Sequence, residues 1–245
     1  MSFTDEPLYA QVEGILASSI LDGTMASGSQ LPTEESLIER FAVSRTTVRT
    51  AIQHLASRGL VEIRRGKGTF VSPPKLNPKL TELSGFVEDM EALGHRATAR
   101  LISSRTITAS AEVARQLALP TGGKVVCIER VRLANGVPVS YDETYLPQGI
   151  GEQIITNDLE AQPIFSLLEQ KYDIPLYEAD YRLEAVSSTE KVSAALEITE
   201  GSPIFLIERT SYREGRQPID YEKLHYRGDL VRFSTTLTRR SGRAR

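Results

Sequence analysis

QLPTEESLIERFAVSRTTVRTAIQHLASRGLVEIRRGKGTFV, residues 30 to 71, reads as a helix, a tight turn, a second helix and a two-stranded basic hairpin. The first helix is expected to begin after Pro32. Thr33 suits its N-cap, and Glu34 and Glu35 suit the positive end of the helix dipole. It should end near Phe41, with Ala42-Val43-Ser44 as the turn and Ser44 as the next N-cap. In the second helix Val48, Ala51, Ile52 and Leu55 fall at i, i+3, i+4 and i+7. That spacing makes one apolar stripe to pack on the first helix.

The opposite face carries Thr46, Arg49, Thr50 and Gln53, which have the chemistry of a major-groove reader. Arginine can hold a guanine edge bidentately, and threonine or glutamine can bond bases or phosphates. Arg45 lies at the end of the helix that goes deepest into the groove in helix-turn-helix proteins. Leu60 to Ile63 and Thr69 to Val71 then form two short strands around Arg64-Arg65-Gly66-Lys67-Gly68. The glycines let the tip turn tightly, while its cations meet phosphate or the minor groove.

Charge polarity supports the same reading. Residues 1 to 39 hold seven acids (Asp5, Glu6, Glu13, Asp22, Glu34, Glu35, Glu39) and no Lys or Arg, a net of −7. Residues 40 to 72 hold seven cations against Glu62, a net of +6. The whole chain is only −3, so its overall charge conceals the basic block.

Residues 7 to 72 resemble the winged helix-turn-helix of the GntR family of bacterial transcription regulators. The matching stretches are PLYAQVEGILASSILDG, LPTEESL, SRTTVRTAIQHL and RRGKGTFV. The resemblance implies DNA contacts from Arg45, Thr46, Thr47 and Arg49 on the recognition helix, and from Gly66, Lys67 and Gly68 on the wing. Some family members have arginine where this chain has Glu35.

A chain of 245 residues with 40% apolar content can fill the cores of two domains. The expected organisation is a DNA-binding domain over 1–72, a proline-rich linker over 73–80, an effector domain over 81–238 and a basic tail over 239–245. Pro73, Pro74 and Pro78 favour a stiff extended spacer. No apolar run approaches the ~18 residues that span a bilayer, so no membrane partner is expected and the cytoplasm is the expected compartment. The single cysteine, Cys127, excludes an internal disulfide and reads as a packing thiol.

The second half contains a duplication. SAEVARQLALPTGGKVVCIERVRLANGVPVSYDETY (110–145) and STEKVSAALEITEGSPIFLIERTSYREGRQPIDYEKLH (188–225) share one template. Each gives a capped short helix, a glycine turn, a strand ending in Ile-Glu-Arg, a hairpin and a return strand. Leu117 matches Leu196, Gly122 matches Gly201, Arg130 matches Arg209 and Tyr141 matches Tyr221. Two such copies predict one antiparallel sheet with a pseudo-twofold axis and a ligand cleft between its halves. Further helices are expected over 83–93 and 164–172, and strands over 100–107 and 230–237. The class is α+β. GFVEDMEALGH, ERVRLANGVPVSYDETYLP, LIERTSYREG and HYRGD resemble the UTRA effector-binding domain of the HutC subfamily, whose fold is that of chorismate lyase.

Arg130 and Arg132 stand two residues apart on a strand, so both project from one face, roughly 7 Å apart. From spacing alone they suit an anion grip or salt bridges to acids such as Asp142. The resemblance implies the grip, with Phe86, Val87, Asp142, Phe165, Asp220 and Tyr226 as further effector-binding positions. Val87 and Phe165 replace polar residues of sugar-phosphate binders, which makes this pocket less polar. His54, His95 and His225 lie in unrelated contexts, and no catalytic motif or metal-ligand spacing occurs, so no cofactor is expected. The expected function is a repressor that binds an inverted-repeat operator as a homodimer and leaves it when a small anionic metabolite binds. The alternative is a chorismate-lyase-like enzyme with an accessory DNA-binding domain.

Overall fold

A computed structural model describes residues 7–72, 75–78, 80 and 83–237, and divides the chain into two compact units, Met1–Lys75 and Leu76–Arg245. The basic tail from 239 onward lies outside the described residues, as do Asp5, Glu6, Pro73 and Pro74.

In the first unit α1 (Leu8–Leu21) is followed by α2 (Glu34–Phe41) and α3 (Arg45–Ser57). The Thr33 side chain accepts from the Ser36 N–H, and Ser44 accepts from the Thr47 N–H, so both expected N-caps are formed. Ala42 adopts a left-handed conformation (φ 52°), which ends α2 and turns the chain into α3. Val48, Ala51, Ile52 and Leu55 are all buried, and with Val12, Leu16 and Leu37 they form the core shared by the three helices. The wing is β1 (Val61–Arg64) paired with β2 (Gly68–Val71), in register from Val61 opposite Val71 to Arg64 opposite Gly68.

The second unit is a six-stranded antiparallel sheet. Its elements are α4 (Phe86–Ala92), β3 (Ala97–Thr108), α5 (Ala111–Gln116), β4 (Lys124–Ala134), β5 (Val137–Pro147) and α6 (Gln148–Ile154). They continue with α7 (Ile164–Ser166), which runs into a π-helical turn at Leu167–Lys171, then β6 (Glu178–Ser187), α8 (Glu190–Leu196), β7 (Pro203–Arg213) and β8 (Gln217–Arg227). The strand order β3-β4-β5-β8-β7-β6 places two copies of strand, helix and hairpin back to back. The duplication therefore includes one more strand per copy, β3 and β6, than the matching sequence stretches. Along the β5–β8 seam Tyr145 faces Tyr221 and Glu143 faces Lys223. The pseudo-twofold axis passes through the Glu143/Lys223 pair.

One face of the sheet packs on α5 and α8, through Val113 and Leu117 against Val125 and Tyr221, and Val192 and Leu196 against Val131 and Tyr141. Cys127 is buried, with its thiol pushed up to about 11 by burial, which suits the expected packing role. The opposite face carries Arg130 and Arg132 and is partly covered by α4 and α7.

Two expectations are corrected. Residues 230–237 form no strand but meet residues 76–80 through single contacts: the Leu76 N–H donates to the Leu230 carbonyl and the Leu80 N–H to the Ser234 carbonyl. Part of the expected spacer is thus held within the second unit by backbone hydrogen bonds. The helix expected over 164–172 is a single α-turn that runs into a π-turn, and Asp173, at φ 54°, takes the chain out of helical geometry after it.

Candidate DNA interface and effector pocket

On α3, Arg45, Thr46, Arg49 and Gln53 are exposed on the face opposite the buried stripe, and Thr47 and Thr50 are half-buried beside them. Thr47 is tied to the cap, its hydroxyl 2.9 Å from that of Ser44. Both arginines lean on the start of α2. Arg49 Nε donates to both carboxylate oxygens of Glu34, at 3.0 and 2.9 Å, and Arg45 Nη2 lies 3.1 Å from Glu35. These pairs are solvent-exposed, so each is worth only about 0–1 kcal/mol and yields readily to a phosphate or base. His54 points elsewhere, to Glu13 at 3.1 Å and edge-on to Tyr9.

The wing glycines have separate structural reasons. Gly66 sits in the tip turn at φ 72°, and a side chain on Gly68 (φ 112°) would collide with Gln30, which donates to the Lys67 carbonyl at 3.1 Å. Arg64 is folded back on Glu62 at 2.7 Å and over the Phe70 ring. Arg65 and Lys67 have no ion-pair partner among the described residues, so the tip carries its charge to solvent.

In the second unit a cavity of about 520 Å³ opens on the sheet face that carries the arginines. Phe86, Val87, Arg130, Arg132, Asp142, Phe165 and Tyr226 all line it. Asp220 does not. It is wholly buried two residues before Glu222, toward the β7–β8 turn, with Oδ1 accepting from the Ser211 N–H at 3.1 Å.

The two expected arginines are not equivalent. Arg132 Nε donates to Asp142 Oδ2 at 3.0 Å, and its guanidinium lies over the Phe86 ring. Arg130 is 0% exposed and makes one long contact, Nη1 to the Leu159 carbonyl at 3.4 Å, leaving Nε and Nη2 without partners. Burial, and then the neighbouring Arg132, push Arg130 down to about 9, so it remains charged at neutral pH. An unpaired buried guanidinium is among the most costly groups a core can hold, and an anion in the cavity would offset that cost.

Sequence reasoning missed the other half of the pocket: Arg209, Glu222, Tyr181 and Asp89. Arg209 donates to Glu222, to the Tyr181 hydroxyl at 3.0 Å and to the Ser84 carbonyl at 3.1 Å, with its guanidinium 4.4 Å above the Phe165 ring. Its signal was available, since it is the repeat counterpart of Arg130. Tyr181 had none, because it reaches Arg209 only through the β6–β7 register.

The GntR family model of bacterial regulatory proteins matches residues 8–71, and the UTRA domain model matches residues 92–232. This chain belongs to the GntR family and carries a UTRA domain. It is 33% identical over 227 residues to the HTH-type transcriptional repressor NagR of Bacillus subtilis, covering 93% of each chain. To the histidine utilization repressor of Pseudomonas putida it is 30% identical, covering 93% of this chain and 90% of that one. The crystal structure of PhnF from Mycobacterium smegmatis superposes with a TM-score of 0.66 at 29% identity, over 94% of this chain and 100% of that one.

This GntR regulator is therefore a DNA-binding member of a repressor family rather than an enzyme. Its α+β architecture, a helical N-terminal unit followed by an antiparallel sheet, is that of its structural relatives. Among the described residues no helix is long and apolar enough to cross a membrane. The regulator's three histidines sit apart, His95 against Asn135 and His225 against the Tyr141 carbonyl.

Proposed function

We propose that the protein is a transcriptional repressor that holds an inverted-repeat operator as a homodimer and releases it when a small anionic metabolite occupies the cavity beside Arg130. DNA contacts would come from Arg45, Thr46, Thr47 and Arg49 of α3, and from Gly66, Lys67 and Gly68 of the wing. Arg130 would take the anion, with Phe86, Val87, Arg132, Asp142, Phe165 and Tyr226 shaping the rest of the cavity and Asp220 supporting its floor from beneath. Such a repressor would work in the cytoplasm, where the chromosome is.

The observation that carries this reading is Arg130 itself, wholly buried beside a cavity with two guanidinium nitrogens unpartnered. A domain with no ligand would gain by replacing it with an apolar side chain. Two α3 helices related by a twofold axis read two half-sites, which multiplies the specificity of the few bases one helix can reach. Relatives at similar identity are named for NagR and for histidine utilization, so their names do not select a metabolite.

Binding of purified protein to its upstream intergenic DNA, compared with random DNA at physiological salt, tests the operator half of the proposal. Preference for one palindrome supports it, and equal affinity for both DNAs contradicts it. A thermal-shift screen of small anions tests the ligand half, because a bound anion stabilises the native state in proportion to the logarithm of its concentration.

A further inference from the structure

The effector cavity is built on the pseudo-twofold axis, and its two arginines are repeat counterparts. Arg130 lies on β4 and Arg209 on β7, with β5 and β8 between them. Three interstrand steps separate the two backbones by roughly 14 Å across the sheet, and the one-row offset adds roughly 7 Å along it. Arg209 is bonded to Glu222, and the Glu222 carboxylate also acts on Arg130.

Both arginines line the cavity and keep buried guanidinium nitrogens without partners. Arg130 retains Nε and Nη2, and Arg209, only 6% exposed, retains Nε. Their ion pairing differs. Arg209 is neutralised by Glu222 and Arg132 by Asp142, whereas Arg130 has no carboxylate partner. The cavity floor thus holds three arginines against Asp142 and Glu222, an excess of at most one positive charge once the buried Asp220, its carboxyl pushed up to about 7, is counted. Toward solvent the lining turns acidic, with Glu88, Asp89, Glu91 and Glu160 and no further cation among the described residues.

We propose that the effector is a singly charged anion that lies across β5 and β8, its charge on Arg130 and a neutral hydrogen-bond acceptor at its far end on Arg209 Nε. One negative charge balances the floor. A second would meet a neutralised Arg209 and the acidic lining, so dianions are disfavoured. Arg209 becomes a specificity-determining contact that recognises a carbonyl, ester, amide or ring acceptor. The proposal rests on the reading of Arg130 as the anion site.

Three probes built on a five-carbon chain separate the terms when titrated calorimetrically into the full-length protein. Pentanoate is a monoanion with an apolar end, monomethyl glutarate is a monoanion with a neutral carbonyl at its far end, and glutarate is a dianion. Monomethyl glutarate should bind about tenfold more tightly than either of the others. Arg209→Lys keeps a cation beside Glu222 but loses Nε–H, and the preference for monomethyl glutarate over pentanoate should fall to about one. Glutarate as the tightest probe, or a preference retained by Arg209→Lys, overturns the proposal while leaving Arg130 as an anion site. Failure of all three probes to bind, or their unchanged binding to Arg130→Met, overturns both.

Discussion

Arg130 on β4 stands directly opposite Asp142 on β5, yet it is Arg132, one step along the strand face, whose guanidinium takes the Asp142 carboxylate at 3.0 Å. The cross-strand partner of the deepest arginine is thereby taken, and Arg130 is left as a buried charge without a carboxylate bonded to it.

Arg130→Met removes that unpaired charge with little change of volume. In the absence of ligand the variant should be more stable than the parent, by about 1–3 kcal/mol. It should also lose thermal stabilisation by any effector. A differential scanning measurement with and without ligand checks both parts, and a variant less stable than the parent when ligand-free would show that Arg130 has a hidden structural partner.

Arg45→Ala and Arg49→Ala should each weaken operator binding by about 1–3 kcal/mol if they read base edges. Lys67→Ala should instead weaken binding to all sequences alike and reduce the salt dependence by about one charge. Affinities on operator and scrambled DNA over a salt series distinguish the two roles. Unchanged operator affinity in both arginine variants contradicts the contact assignment.

Burial pushes the Asp220 carboxyl up to about 7, with Glu222 adding to the shift. The folded chain therefore keeps a proton that the unfolded chain releases near its ordinary value of 3.8. That proton's stabilisation is complete below the unfolded value and is lost as pH rises through about 7. Asp220→Asn cannot titrate, so its stability relative to the parent should rise by about 1 kcal/mol or more between pH 5 and pH 8. A relative stability that is flat or falls over this range counts against the buried protonated carboxyl.

Gly151 in α6 sits where a Cβ would lie 2.4 Å from the Val126 Cβ on β4. Neither partner is a flexible chain end, so Gly151→Ala should cost about 1–3 kcal/mol through overpacking. Val126→Gly, which removes the clashing Cβ, should cost less in the Gly151→Ala background than alone. Urea denaturation of the single and double variants measures it, and additive losses would show that the two positions do not compete for space.

Local chemistry made the DNA-binding unit legible before any coordinates. Thr33 and Ser44 cap, the Val48–Leu55 stripe packs, and the wing turns where its glycines allow, all within a few residues of chain. The duplicated template likewise announced the sheet and its axis. What stayed hidden depends on pairings between distant segments. β3 and β6 carry mixed patterns because they lie at the sheet edges, with much of their length exposed, so they do not resemble each other. Glu222 joins the pocket only through the β5–β8 seam, where it faces Thr144, and through β7, where it faces Arg209. Which of Arg130 and Arg132 would take Asp142 is a choice among side-chain conformations that spacing cannot make.

Fluorescence anisotropy of a labelled operator, titrated with a small-anion effector in the presence of the parent protein or Arg130→Met, tests the central claim most directly. Effector should dissociate the parent from DNA and leave the Arg130→Met complex in place. Release of both proteins at the same effector concentration would contradict it.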